Sequence, residues 1–152
     1  MRRRLEQLRG LAPWEWRLLA QLVLLLPAIG AALHLLGFKR TRDLLGRLSP
    51  LSTPTEQLDT AQACAKAQRI ARLLRIAANH GLYRATCLRQ SLALWWLLKR
   101  RGIPAELRIG VRKDGAGLNA HAWVEFDGTP LGRENLGYVP FAGLSSATGN
   151  LG

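Results

Sequence analysis

Residues 86–126 constrain the fold of this chain most, because their pattern changes from helical to extended within one short stretch. A threonine that can cap a helix, an apolar face and a terminating glycine predict a helix over residues 86–101. Alternating apolar and polar side chains then predict two strands, over 105–112 and 120–126, joined by a glycine-containing turn. The stretch therefore predicts an α+β fold in which a helix packs on a small antiparallel sheet.

This arrangement places Cys87 in the first turn of the helix and His121 on the second strand. The positive end of a helix favours the thiolate form of a cysteine, and the backbone amides there offer an oxyanion site. A thiolate beside an imidazole base is the equipment of covalent thiol catalysis. The other candidates, Cys64 among alanines and His80 beside a glycine, are expected to be structural.

The pairing of cysteine and histidine depends on which face of the second strand meets the helix. Because strand side chains alternate, His121 and Trp123 share one face, whereas Ala122 and Val124 share the other. If the helix packed on the face of Ala122 and Val124, the imidazole would point away from Cys87.

The composition of the chain changes near residue 50. Residues 1–50 are apolar and basic and predict a helical N-terminal segment, whereas residues 51–152 carry the cysteine and the histidine and predict a core domain. Residues 53–56 have the form of a capping box with proline at the first helical position, so a helix is expected from there to Gly81. With 48% hydrophobic residues, the 152-residue chain has enough apolar material for one core.

An apolar run at residues 18–38 has two interpretations. Its length suffices to cross a bilayer, and tryptophans precede it. Polar Gln21 and His34 interrupt the run, however, and both of its flanks are basic. Pro27 and Gly30 are expected to break helical continuity in its middle. We therefore favour a hairpin of apolar helices that packs on the rest of the chain or on a partner protein, with membrane contact as the alternative.

The net charge of +12, from 22 Lys and Arg against 10 Asp and Glu, predicts attraction to an anionic partner. No nucleic-acid signature accompanies the scattered basic residues, so a nucleic-acid partner is not expected. The two cysteines have no paired spacing, which argues against a disulfide framework or a cysteine zinc site. Unpaired cysteines are typical of cytoplasmic proteins, so we predict a cytoplasmic location, with membrane association if the apolar run meets lipid. No cofactor motif is visible, although ATP involvement stays open.

The motifs TCLRQSLALWWLLKRRGIPAELRIGVRK and AHAWVEFDGTPLG together resemble the lasso-peptide biosynthesis leader peptidases, a bacterial branch of the transglutaminase-like, papain-related cysteine proteases. The resemblance is strong over residues 85–132. It implies a transglutaminase-like core, with Cys87 as the nucleophile and His121 as the general base. The implied reaction is cleavage of the leader from a ribosomally made precursor peptide, before a separate cyclase closes the ring.

The resemblance also implies partners. Some family members carry a leader-recognition domain fused ahead of the protease, but residues 1–50 do not resemble it, so this chain resembles the stand-alone protease half. Its expected partners are the precursor leader, a separate leader-recognition protein and the cyclase. An acyltransferase or amidase of the same fold, and a non-catalytic membrane-associated scaffold, are the alternative functions.

The third catalytic residue is where the chain departs from the family pattern. The family's usual aspartate falls on Arg133 here, and the nearby substitutes are Asp127, Glu134 and the neutral Asn135.

An Asp-Gly dipeptide at residues 127–128 favours a two-residue turn. Phe126 then pairs with Thr129, and His121 lies opposite Glu134, whereas a three-residue loop would move the glutamate away. We therefore predict Glu134 as the residue that orients the imidazole.

Overall fold

The computed structural model describes residues 12–49, 59–80, 86–115, 117–132 and 138–140. Within these ranges the chain forms three helices and four strands. In chain order they are α1 (Pro13–Arg47), α2 (Thr60–His80), α3 (Cys87–Lys99), β1 (Glu106–Asp114), β2 (Gly117–Phe126), β3 (Thr129–Leu131) and β4 (Val139–Pro140). The strands form one antiparallel sheet in the order β3-β2-β1-β4, so the predicted α+β fold is confirmed.

One hydrophobic core joins the three helices to one face of the sheet. Its most deeply buried side chains come from all three helices, from the segment after α3 and from β2: Leu18, Leu22, Ile70, Leu73, Leu92, Leu98, Ile103 and Val124. Described residues on both sides of the predicted domain boundary at residue 50 share this core, while the boundary itself stays a prediction.

Helix α1 corrects the expectation that Pro27 and Gly30 break the apolar run, because the helix continues through both residues. A proline removes the hydrogen bond to the carbonyl four residues earlier, and here that residue is Val23, which is 49% exposed to solvent. The backbone leaves the helical region at Gly37 instead, with φ 77° and ψ 173°. The Thr41 hydroxyl donates to the Gly37 carbonyl at 2.8 Å and fixes this kink. The chain then turns back along α3, since Gly30 lies beside Arg89 and Gly46 lies beside Trp95 and Lys99. The break that a helical hairpin requires is therefore at Gly37 instead of at Pro27 and Gly30.

The start of α1 is anchored to α2 by an ion pair. Arg69 Nε donates to Glu15 Oε1 at 2.6 Å, and the other carboxylate oxygen accepts the amide of Ala12 at 2.7 Å. The hydrogen bond from Arg69 lowers the pKa of the buried Glu15 carboxyl, although desolvation opposes it. The Arg69 guanidinium also lies 5.3 Å from the ring centre of Trp14.

Helix α3 begins at Cys87 as predicted, with Thr86 in the N-cap position. The threonine hydroxyl makes no capping hydrogen bond, contrary to its expected role. The chain turns after Lys99, and Gly102 there has φ +68°, a conformation that favours glycine. Helix α2 begins at Thr60, while the predicted capping box and Gly81 lie outside the described residues.

The two main strands are longer than predicted. The pairing of β1 with β2 runs without interruption from Glu106 opposite Glu125 to Asp114 opposite Gly117. Because the register contains no bulge, side chains alternate strictly along both strands. The sheet therefore has two well-defined faces at the level of the candidate site.

Candidate functional site

Cys87 is the first residue of α3 and is half-buried. The first hydrogen bond of the helix runs from the amide of Gln90 to the carbonyl of Thr86 at 3.1 Å. The amides of Cys87 and Leu88 therefore precede the hydrogen-bonded ladder, at the positive end of the helix. No acidic residue lies in this first turn. The local field favours an anion there.

Ser91 ties the cysteine helix to the histidine strand. Its buried hydroxyl donates to the carbonyl of Ala122 at 2.8 Å. Ser91 follows Cys87 by one helical turn on the same face, a rise of about 6 Å, and Ala122 directly follows His121. This hydrogen bond brings the two predicted catalytic segments next to each other.

The N-terminal end of α3 lies at the level of His121 along the strand. Ala122 is buried and Ala120 is exposed although both belong to the same face, so the helical layer ends between them. The other end of α3 leads through a short connection into Glu106, which pairs with Glu125. The helix start is therefore directed toward the His121 half of β2.

The imidazole lies on the face of the sheet opposite the helical core. Val124 and Phe126 belong to the core that contains α3, whereas His121 shares its face with Trp123. The two rings stack with centroids 6.1 Å apart and planes 14° from parallel. The helices therefore pack on the face that carries Val124 and Phe126. In this arrangement the imidazole of His121 points away from the helical layer that contains Cys87. The segments of Cys87 and His121 are adjacent, and catalytic pairing of their side chains stays a prediction.

A network of side chains surrounds His121 on this outer face. Trp123 Nε1 donates to Glu125 Oε1 at 2.7 Å, and Arg108 Nε donates to the second oxygen of that carboxylate at 3.1 Å. The ring of Tyr138 lies 4.9 Å from the imidazole, on the side of β4. Two aromatic rings therefore pack near the imidazole of His121, one from Trp123 on the same strand and one from Tyr138 beside β4.

Sequence reasoning assigned no role to this network, although the period of two that places His121, Trp123 and Glu125 on one face was visible. Gly110 completes the arrangement, because it pairs with His121 across the β1–β2 ladder. A Cβ at Gly110 would lie 2.5 Å from the Val139 carbonyl oxygen and 2.9 Å from the Trp123 ring. A glycine is therefore required for β4 and the indole to approach β1 this closely.

The structure confirms the two-residue turn at residues 127–128, from which Glu134 was predicted to lie opposite His121. Phe126 pairs with Thr129, and Asp127 and Gly128 have φ values of 48° and 71°, so the turn contains two residues. Asp127 is exposed, as expected of a turn residue. Arg133, Glu134 and Asn135 lie outside the described residues, and the assignment of Glu134 stays a prediction.

The secondary candidates have the following places. Cys64 is half-buried and packs against the core, and the side chain of His80 lies outside the described residues. Among the residues that the structure describes, no group of three or more His, Cys, Asp or Glu could hold a metal ion. One described helix, α1, is long and apolar enough to cross a membrane, and 33% of its most apolar window is buried in the core.

A model of the family described as "Transglutaminase-like superfamily" matches residues 29–146. The matched range contains both Cys87 and His121, and it begins within α1. This superfamily includes cysteine peptidases and acyltransferases. No curated protein and no solved structure matches the chain.

Proposed function

This chain belongs to the transglutaminase-like superfamily, and we propose that it is a cysteine peptidase that removes the leader from a ribosomally made lasso-peptide precursor. Cys87 is the nucleophile, His121 the general base and Glu134 the group that orients the imidazole. The lasso-peptide substrate is supported by the sequence resemblance over residues 85–132. The thiol chemistry is supported by the superfamily and by the position of the cysteine.

The observation that carries the proposal is the placement of Cys87 at the first position of α3, one turn before the Ser91 hydroxyl that binds the histidine strand. A cysteine elsewhere in the helix would lack the backbone amides that stabilise a thiolate and an oxyanion. Cys64 illustrates the contrast, because it lies within α2 and packs against the core. The two thiols therefore differ in electrostatic surroundings although both are half-buried.

In the proposed reaction the Cys87 sulfur attacks the scissile carbonyl carbon and forms a tetrahedral oxyanion, which the amides at the start of α3 stabilise. Collapse of this intermediate breaks the C–N bond, and His121 protonates the leaving amine. Water then attacks the thioester, releases a carboxylate and regenerates the thiol. Because the imidazole lies on the sheet face opposite α3, the proposed reaction requires it to reach the thiol past the N-terminal end of this helix.

The proposed partners follow from the same resemblance. The chain acts with a separate leader-recognition protein, and the cyclase takes the product of cleavage. The net charge of +12 suits an acidic leader or an acidic face of the recognition protein.

The test is cleavage of the precursor by the purified chain in the presence of the leader-recognition protein, followed by mass spectrometry. We expect Cys87→Ala and His121→Ala each to abolish cleavage. Cys64→Ala is the matched control, because it makes the same change at another half-buried cysteine, and it should retain activity. Full cleavage by Cys87→Ala or His121→Ala would refute the proposal.

The same spectra distinguish a peptidase from an acyltransferase. Hydrolysis leaves a free carboxylate on the leader fragment, whereas transfer leaves that fragment joined to an added amine. A readout that needs no substrate is alkylation of the wild-type chain with iodoacetamide, with each cysteine measured by peptide mapping. Cys87 should react faster than Cys64, and removal of His121 should slow Cys87 alone.

A further inference from the structure

Helix α1 carries an apolar surface on its outward side as well as on its buried side. The outward residues recur every three or four positions, which aligns them along one face of the helix. We name this surface the outer stripe, and its members are Ala20, Val23, Leu24, Pro27, Ala28, Ala31 and Leu35. The stripe is about 23 Å long. Leu24 is 74% exposed and Leu35 is 78% exposed, so the rest of the described chain leaves this surface uncovered.

Basic residues flank the outer stripe at both ends, a distribution that favours contact with an anionic membrane surface. No Asp, Glu, Lys or Arg occurs in the sequence between Arg17 and Lys39, whereas Arg17 precedes the stripe and Lys39 and Arg40 follow it. Trp14 and Trp16 are 44% and 51% exposed at the same end as Arg17. Indole rings and basic side chains at the ends of an apolar helical face are typical of the boundary between lipid headgroups and acyl chains.

A groove beside the outer stripe adds further positive charge. It lies between α1 and α3, has a volume of about 640 Å³, and is lined by Leu24, Trp96, Arg100 and Arg101 among others. The Arg100 guanidinium lies 4.8 Å above the Trp96 ring, and the buried indole N–H of Trp96 has no acceptor among the described residues. Burial lowers the pKa of the Arg101 guanidinium, and an anion beside it would offset that loss of hydration. An apolar groove with two arginines suits a chain that ends in an anionic headgroup.

The buried side of α1 decides between a helix that crosses the membrane and one that lies on it. Leu18, Leu22 and Ile29 are at most 2% exposed and pack in the common core, and Glu15 is tied to Arg69 of α2. A helix that crossed a bilayer would have to give up these contacts. Between residues 20 and 35 of α1, the fold therefore leaves the outer stripe for contact with lipid.

We propose that the part of α1 before the Gly37 kink lies flat on a bilayer that contains anionic phospholipids, with the outer stripe among the upper acyl chains and Arg100 and Arg101 against lipid phosphates. The proposal does not depend on the catalytic assignment. Because α3 rises about 18 Å between Cys87 and Lys99, the candidate thiol lies at the end of this helix away from the two arginines.

The test is sedimentation of the full chain with phosphatidylcholine vesicles and with vesicles that also contain phosphatidylglycerol. We expect binding to the mixed vesicles, at least tenfold weaker binding to phosphatidylcholine alone, and a decrease with added salt. Leu24→Glu should weaken binding by about tenfold or more, because it replaces an exposed apolar side chain of the stripe, which lipid would cover, with a carboxylate. Leu118→Glu is the matched control, since Leu118 is 78% exposed on β2 and the charge change is the same; it should bind within about twofold of wild type.

A second matched pair tests the headgroup contact. Arg100→Gln should weaken binding to the mixed vesicles, whereas Arg112→Gln should not, although each arginine stacks on an aromatic ring at 4.8 Å. Circular dichroism and thermal melting check that each variant is folded.

Several outcomes would overturn the proposal. They are failure of the wild-type chain to bind the mixed vesicles, equal binding to both vesicle types, and equal loss in Leu24→Glu and Leu118→Glu. Retention of the chain in vesicles after an alkaline carbonate wash would show a spanning helix instead. A wild-type dimer that Leu24→Glu converts to a monomer would show that a second copy covers the stripe.

Discussion

The hydrogen bond from Ser91 to Ala122 predicts a measurable coupling between the cysteine helix and the histidine strand. Ser91 is 7% exposed, and its hydroxyl donates to the Ala122 carbonyl at 2.8 Å. Ser91→Ala removes the donor and leaves a buried carbonyl with one partner fewer, which costs about 1.5 kcal/mol. The better helix propensity of alanine offsets about 0.5 kcal/mol of this loss. The free energy of unfolding should therefore fall by about 1 kcal/mol, and the melting temperature by about 2–4 °C.

Ser49→Ala is the matched control for this prediction. Ser49 is 6% exposed, and its hydroxyl donates at 3.1 Å to the carbonyl of Leu45, only one turn earlier in the chain. A local bond of this kind contributes little to stability, so we expect a change of less than about 0.5 kcal/mol. Urea unfolding followed by circular dichroism measures both variants.

The two variants should also differ in chemistry. Because Ser91 holds the first turn of α3 against the strand, Ser91→Ala should slow iodoacetamide alkylation of Cys87 and precursor cleavage, by about tenfold for cleavage. Ser49→Ala should change neither rate. A Ser91→Ala variant as stable and as reactive as wild type, or a Ser49→Ala variant that is equally impaired, would refute the coupling.

Three further changes test the surroundings of the site and the anchor of α1. Gly110→Ala should lower the free energy of unfolding by about 1–3 kcal/mol in urea, because its Cβ would lie 2.5 Å from a carbonyl oxygen of β4; unchanged stability would contradict that packing. Trp123→Phe should lower it by about 1–3 kcal/mol, because the smaller ring leaves part of this buried site unfilled and the hydrogen bond to Glu125 is lost; the test is again urea unfolding, and an unaltered midpoint would count against both contacts. Because Arg69 holds the pKa of Glu15 below its ordinary 4.5 in the folded chain, the stability that this pair contributes is present above pH 4.5 and is lost as the pH falls through the folded-state pKa. Glu15→Gln should therefore show a shallower loss of melting temperature below pH 4.5 than wild type, and parallel curves would exclude the pair as a source of acid sensitivity.

The sequence predicted those features that neighbouring residues decide. The alternation of β1 and β2 and the two-residue turn at residues 127–128 depend on period and turn chemistry, and the structure contains both. The start of α3 at Cys87 was also predicted correctly, although Thr86 makes no capping hydrogen bond. A break of α1 at Pro27 was predicted, but the helix continues through this residue. Packing of its inner face against α2 and α3 outweighs one lost hydrogen bond.

The surroundings of His121 could not be predicted from the sequence, because they depend on packing against both faces of β2. Trp123 and Val124 are 3% and 1% exposed, so both faces of β2 are buried in this region. When both faces are apolar, alternation does not show which one meets a helix. Tyr138 is equally hard to place, because pairing between β1 and β4 joins residues that are distant in the sequence.

Two elements of this chain, α1 and β2, carry apolar side chains on both faces, and they differ in how the second face is covered. On β2 the second face is closed by the chain itself, since Trp123 is 3% exposed and its indole is hydrogen-bonded to Glu125. On α1 no described residue covers the second face, since Leu24 is 74% exposed. The outer face of the sheet is therefore a packed support for His121, whereas the outer stripe of α1 is an apolar surface that the described part of the chain leaves available for binding.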